Sequence, residues 1–351
     1  QNDIIKEYLS RGTYIFPPDE SLKLIADVSE FCFHKVPKWN PINICSYHLQ
    51  EAGGTIEEEV AFAIATAVSV LDTIKDRVSK EHFPQIVGRV SFFVNAGIKF
   101  ISELCKMRAF VELWDEICLE RYGVKDEKFR RFRYGVQVNS LGLTEQQPEN
   151  NVYRILLELL AVTLSKKARA RAIQLPAWNE AMGLPRPWDQ QWSLRMQQIL
   201  AFETDLLEYE DIFDNNAVID NKVSSIKESV NIKLRKIEEL GGTESALEFM
   251  KTSLVSSNAK RLEKIEKGET IIVGVNAFTS YEKSPFSKKG DEVLIVDPKL
   301  ESSQIESLIK WKNSREDENV KNAIRILQET AKSGKNIMPA SIDAAKAGVT
   351  T

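Results

Sequence analysis

Residues 40–54 read NPINICSYHLQEAGG, and the stretch changes character along its length. Ile42–Tyr47 is a short, mostly apolar run of strand type. Polar residues follow it and end on Gly53 and Gly54, and an amphipathic helix opens near Ile56. A strand that feeds a helix through a polar loop is one βα unit of a parallel sheet. In closed βα barrels, chemistry gathers on the loops at the C-terminal ends of the strands. His48 stands there, one residue past the strand. The residues alone leave two readings of it open: a functional imidazole, or a histidine satisfied by a neighbouring carbonyl.

Outward from that unit the alternation repeats. Upstream, Asn2–Ser10 has helical spacing, and Thr13–Pro18 is extended because its two prolines forbid helix. Glu20–Val36 is amphipathic, with Leu22, Ile25, Val28, Phe31 and Cys32 on one stripe. Downstream come a helix from Ile56 to Lys80, a strand at Val87–Ala96, and a helix at Lys99–Tyr122. A strand at Phe132–Asn139, a helix at Glu149–Ala170, a strand at Ala172–Pro176 and a helix at Gln190–Phe213 complete the series. Four strand–helix units with a period of about 45 residues make half of an eight-fold barrel, which takes ~250 residues in full. Beyond residue 216 the pattern changes. Ala217–Leu240 and Glu244–Lys267 are polar amphipathic helices, Thr270–Val275 is strand-like, and Leu300–Lys332 is a charged helix of solvated type.

Composition bounds the function. The chain has 351 residues, 43% hydrophobic and 28% charged, with a formal net charge of -4. These are values of a globular protein with no general electrostatic reason to bind nucleic acid. No apolar run approaches the ~18 residues of a membrane span, and there is no signal-peptide pattern at the start. Cys32, Cys45, Cys105 and Cys118 show no C-x-x-C pairing and lie in apolar surroundings, so reduced thiols and a cytoplasmic setting are expected. The histidines are His34, His48 and His82 only. The chain opens on Gln1, not Met, and closes on AKAGVTT, as expected of a section of a longer protein.

Several runs together resemble a known family. They are QNDIIKEYLSRGTYIFPP at 1–18, PKWNPINICSYHLQEAGG at 37–54, GRVSFF at 88–93, ENNVYR at 149–154 and VGVNAF at 273–278. The chain resembles the adenosylcobalamin-dependent acyl-CoA mutases, and residues 132–201 are similar to the branch that acts on ethylmalonyl-CoA. The resemblance implies the C-terminal half of a (β/α)8 TIM barrel at 1–215. A mainly helical arm at 216–351 would then lead to a cobalamin-binding domain absent from these residues. That domain carries a D-x-H-x-x-G motif for the lower cobalt ligand, and none of the three histidines lies in one. No metal ligand is therefore expected here. The implied cofactor is adenosylcobalamin, and the implied partners are an acyl-CoA with a second carboxylate, the cobalamin domain, and a second subunit in a dimeric complete enzyme.

The resemblance also assigns residues. His48 would share a proton with the thioester oxygen, since imidazole titrates where partial donation is feasible. Arg11 otherwise reads as a solvated charge favourable to a helix C-terminus. In the family it grips the substrate's free carboxylate through two parallel hydrogen bonds. Tyr47 would wall the pocket, or serve as a plain core tyrosine, and Gln1 would sit near the thioester. Lys38, Arg89 and Ser91 match residues that contact coenzyme A. Glu51, Gln137 and Glu180 match positions that face adenosylcobalamin, the glutamates suited to ribose hydroxyls. Read alone, Lys38 is a surface lysine and the other three are exposed polar residues. Gly135 stands where methylmalonyl-CoA mutases carry histidine, and ARAIQLPAW at 170–178 replaces their T-Q-S-L-H-T-N-S run.

The expected activity is the radical interconversion of ethylmalonyl-CoA and methylsuccinyl-CoA. Methylmalonyl-CoA isomerisation and a non-catalytic subunit that binds coenzyme A and cobalamin are the alternatives. The basic cluster Lys166, Lys167, Arg169 and Arg171 reads as the cationic end of a helix or as a phosphate site.

Overall fold

The computed structural model describes residues 3–280 and 294–350, so Gln1 lies outside the described residues. Four strands, β1 (Asn43–Cys45), β2 (Ser91–Ala96), β3 (Tyr134–Val138) and β4 (Ala172–Gln174), form one sheet. All three pairings are parallel and follow chain order. Helix α1 (Pro18–Lys35) precedes β1. Helices α2 (Ile56–Lys75), α3 (Phe100–Glu120) and α4 (Asn151–Thr163) fill the crossovers, and α5 (Pro187–Phe202) follows β4. The expected α/β alternation with a parallel sheet is present. The sheet is open, with β1 and β4 as its edges, and no barrel closure occurs among the described residues.

Several element boundaries differ from expectation. The strand expected over Ile42–Tyr47 shortens to Asn43–Cys45, because Ser46 takes helical angles and opens a short helix, Tyr47–Glu51. His48 therefore rides on a helical turn at the end of β1. Helix α2 starts at a capping box: Thr55 Oγ1 accepts from the Glu58 N–H, and Glu58 Oε2 accepts from the Thr55 N–H. Phe83–Val87 is a helical turn, so β2 begins only at Ser91. The strand-like Thr270–Val275 makes a single bridge, Val273 to Ala277.

Alternation along the strands gives the sheet two unlike faces. Phe92, Val94, Ala96, Tyr134, Val136 and Val138 are buried, and most of them join the main helix-packed core. Ser91, Phe93, Gly135 and Gln137 point the other way and are half-buried. Register puts Cys45, Phe93, Gly135 and Ala172 in one row across that second face, with Asn95, Gln137 and Gln174 in the next.

The core continues past residue 216. Helix α6 (Ala217–Glu239) buries Ile219, Val223, Ile226, Val230 and Ile237, an amphipathic stripe, in the same cluster as the sheet and α2. Helix α7 (Leu247–Glu266) adds Leu247, Met250 and Leu254. Helix α2 is apolar on nearly every side because it lies between the sheet and these helices. Helices α8 (Pro298–Ser314) and α9 (Asp317–Lys332) split the single helix expected at 300–332, and they bury almost nothing. Before α10 (Met338–Lys346), Asn336 and Ile337 hydrogen-bond to Asp27 of α1. No helix among the described residues is long and apolar enough to cross a membrane.

Candidate functional site

Two elements bring Arg11 to His48. The first turn, Ile4–Lys6, runs into a π-helical turn, Glu7–Arg11, in which the Gly12 N–H reaches back five residues to the Glu7 carbonyl at 2.7 Å. Such turns recur at functional sites. Gly12 closes it at φ 70°, a left-handed conformation that glycine adopts without Cβ strain. Asp3 then ties the turn to the sheet: Oδ1 accepts the Lys6 N–H at 2.9 Å, and Oδ2 accepts the Cys45 N–H at 2.7 Å. Burial pushes the Asp3 carboxyl up to about 6. With both ends fixed, the exposed Arg11 places Nη1 3.2 Å from His48 Nε2.

The other side of His48 is fixed from within. Its Nδ1 lies 3.4 Å from Cys45 Sγ, and its ring stands edge-on to Tyr47 at 5.0 Å. Burial, then the charges of Lys6 and Arg11, hold the imidazole down at about 4. His48 is therefore neutral at pH 7 in this environment, where the sequence predicts an imidazole titrating near neutrality.

Tyr47 and Glu51 converge on Ser140, just past β3. Tyr47 Oη lies 2.8 Å from Ser140 Oγ, and Glu51 Oε1 accepts the N–H groups of Ser140 at 3.1 Å and Leu141 at 3.3 Å. Asn95 Nδ2 donates to the same oxygen at 3.4 Å. Glu180 comes to this place from the turn after β4, and its carboxyl is pushed up by burial and by the nearby Glu51. The loop carrying Glu180 is pinned by Asp189, which accepts from Trp178 Nε1 at 3.2 Å and from Asn179 Nδ2 at 2.9 Å. Gln137 lies on β3 beside Asn95, on the half-buried face of the sheet.

Beneath these residues sits a buried ionic network. Lys106 Nζ donates to Glu59 Oε2 and to the Asn95 carbonyl, each at 2.7 Å, and pairs with Glu103 Oε2 at 2.5 Å. Glu59 Oε1 in turn accepts from Ser46 Oγ at 2.9 Å and the Asn95 N–H at 3.0 Å. The two carboxylates keep Lys106 charged in spite of its complete burial. The network thus grips Ser46, before the His48 turn, and Asn95, which reaches Glu51.

Lys38, Arg89 and Ser91 lie elsewhere. Lys38 is exposed between α1 and β1. Ser91 opens β2, donating to the Ile42 carbonyl at 3.0 Å and accepting from Asn43 Nδ2 at 3.1 Å. Arg89 stacks its guanidinium 4.9 Å over Phe33, and its buried Nη1 has no hydrogen-bond partner among the described residues. These three stand by the N-terminal ends of the strands, and His48, Glu51 and Glu180 by the C-terminal ends. From Ser91 to Asn95 along β2 is about 13 Å at strand rise.

The whole chain, residues 1–351, matches the family described as methylmalonyl-CoA mutase. It belongs to that family. Over all 351 residues it is 62% identical to ethylmalonyl-CoA mutase of Cereibacter sphaeroides, covering 54% of that protein. It is 59% identical over 355 residues to ethylmalonyl-CoA mutase of Methylorubrum extorquens, covering 52% of it. Identity to methylmalonyl-CoA mutase of Escherichia coli is 31% over 353 residues, covering 48% of that protein. In each case all of this chain is covered, and the chain spans about half the length of the curated relatives it matches.

Within this member of the methylmalonyl-CoA mutase family, sequence reasoning missed Ser140, Asn95, the tie from Asp3 to Cys45 and the Glu59–Lys106–Glu103 network. Charged residues inside the apolar runs 56–74 and 100–118 were the available signal for the network. Arg261 of α7 was also missed; it lies close enough to feel the Glu51 charge, while burial lowers its own proton affinity. Two half-buried carboxyls converging on one serine form an acceptor-rich corner. Such a corner can accept hydrogen bonds from a pair of neighbouring hydroxyls.

Proposed function

We propose that the protein containing this segment interconverts ethylmalonyl-CoA and methylsuccinyl-CoA with adenosylcobalamin. The observation that carries the reading is the placement of Arg11 and His48, 3.2 Å apart at the C-terminal edge of the sheet. A guanidinium can take a carboxylate through two hydrogen bonds, and an imidazole beside it can face the thioester of the same small acyl group. Tyr47 walls the site. Lys38, Arg89 and Ser91 take the coenzyme A moiety, so the ligand runs along the strands from one end of the sheet to the other. The orphaned Nη1 of Arg89 is a donor suited to that moiety. Glu51 and Glu180 hold the adenosyl ribose, with Gln137 beside them. When bound, adenosylcobalamin would supply the radical that takes a hydrogen from the substrate; this chain's residues bind, orient and exclude water.

On the same reading, the four strands are four of the eight in a TIM barrel, and their half-buried face lines its interior. Residues 216–351 form the arm toward a cobalamin-binding domain, and the complete enzyme is a dimer. The test is a graft: this segment replaces the matching residues of the Cereibacter relative, and ethylmalonyl-CoA turnover is measured with adenosylcobalamin. Formation of methylsuccinyl-CoA supports the proposal. A folded graft that binds coenzyme A and cobalamin but forms no product supports a non-catalytic binding role instead.

A second reading, preference for methylmalonyl-CoA, turns on Gly135. A Cβ there would lie 3.3 Å from Phe93 Cδ2 and 3.6 Å from the Ala172 carbonyl, so any side chain narrows this face. Gly135→Ala is expected to lower ethylmalonyl turnover relative to methylmalonyl turnover. An unchanged ratio would show that Gly135 does not set specificity.

A further inference from the structure

The contact between Arg11 and His48 constrains where the imidazole proton sits. A guanidinium has only N–H donors, so the Nε2 atom 3.2 Å from Arg11 Nη1 must present its lone pair. The proton of the neutral ring then sits on Nδ1, which faces Cys45 Sγ at 3.4 Å. A thioester oxygen accepts only. With Nδ1 turned into the fold against Cys45, His48 can donate to that oxygen only from Nε2, the nitrogen that Arg11 occupies. The arrangement therefore opposes the role of His48 until something else takes the guanidinium.

We propose that Arg11, His48 and Cys45 form a carboxylate-responsive relay, in which a carboxylate that draws Arg11 away frees His48 Nε2 to carry the proton. The inference rests on the reading of His48 as the thioester partner and adds the condition under which it can act. Protons balance through solvent: Nδ1 gives its proton to water, Nε2 takes one from water, and the Cys45 S–H turns to donate to the bare Nδ1. His48 is half-buried, so water reaches the ring. Cys45 keeps its S–H throughout, because burial pushes the thiol up to about 11. A thiol both donates and accepts weakly, so it serves either tautomer.

The charged and titratable groups facing the ring are Lys6, Glu7 and Arg11 from the turns at 4–11, Cys45 from β1, and Tyr47 on its own turn. Lys251 of α7, which packs against the π turn Glu7–Arg11, places its ammonium over the Tyr8 ring at 4.9 Å. Of the cations among these, Arg11 is the exposed one. Acyl-CoA compounds without the second carboxylate would then leave His48 in the wrong tautomer. They would fail in turnover as well as in binding.

The experiment is long-range 1H–15N NMR of the full chain labelled at histidine. Only His34, His48 and His82 contribute signals, and His48→Gln assigns the one that matters. For the chain alone, Nδ1 is expected to be protonated and Nε2 bare. Malonate, against sodium chloride at equal ionic strength, should move the proton to Nε2 and raise the His48 midpoint by about 1 pH unit. Arg11→Met should reproduce the malonate-bound state: Nε2 becomes protonated without malonate, and malonate has no further effect. Unmoved His34 and His82 signals show that the fold persists. A protonated Nε2 in the chain alone overturns the proposal, as does a ring that responds neither to malonate nor to Arg11→Met. Malonate carries no thioester and the assay uses no cofactor, so this result and the turnover of the grafted enzyme can fail independently.

Discussion

Glu158 shows what a single buried carboxyl costs this fold. It lies on α4 at 1% exposure, and its Oε2 has no hydrogen-bond partner among the described residues. Burial, with the charges of Glu103 and Glu51 adding to it, pushes the group up to about 9. The folded chain therefore keeps this proton at pH values where the unfolded chain, titrating near 4.5, has released it. Stability is lost as pH rises from about 4.5 toward 9, and the loss at pH 7 is of order 3 kcal/mol. Glu158→Gln should melt higher than the parent at pH 8 and about equally at pH 4.5, with the difference widening between. A variant that gains nothing at pH 8 would show that Glu158 finds a partner in solution.

At the scale of elements, the turn bearing His48 is tied through Ser46 to the ionic network under it. Lys106 is fully buried between Glu59 and Glu103 and also holds the Asn95 carbonyl. Removing one member of a buried pair leaves an uncompensated charge and costs about 3–5 kcal/mol, whereas replacing the whole group by apolar residues is often near neutral. Lys106→Met alone should destabilise by that amount in urea unfolding. Adding Glu59→Leu and Glu103→Leu should recover stability without restoring the grip on Ser46 and Asn95, so activity of the grafted enzyme stays low. If the triple variant regains full activity, the network is structural only.

These elements were unequally legible. The unit from Ile42 to Ile56 announces itself, because strand, polar loop and helix differ in both composition and period, and it delivers His48 to a strand end. Arg11 could be placed near a helix end, but the π turn that aims it has no sequence signal beyond Gly12. Ser140 reads as an ordinary loop serine, since its importance comes from side chains about 90 residues away. Helix α6 reads as a solvated arm. Its five buried residues follow helical spacing, yet nothing local says that the sheet's helices are waiting to be covered.

At the scale of the molecule, the open sheet leaves two edges. β1 and β4 are three residues each, and each has one neighbour. Unpaired strand edges are templates for further pairing, and the half-buried second face adds Phe93 and Gln137 beside them. The chain by itself should self-associate, read as a sedimentation coefficient that rises with concentration. A single concentration-independent monomer would mean that the edges are adequately blocked.

The most direct test of the central claim is kinetic, in the grafted enzyme with ethylmalonyl-CoA and adenosylcobalamin. The parent segment is expected to turn the substrate over. His48→Gln should lower kcat by about 10²–10⁴-fold, the range for loss of a positioned acid–base group. Arg11→Met should lower both kcat and apparent affinity, because the carboxylate would no longer be held. Parent-like kinetics in both variants would contradict the account, since the pair on which it rests would then touch nothing that reacts.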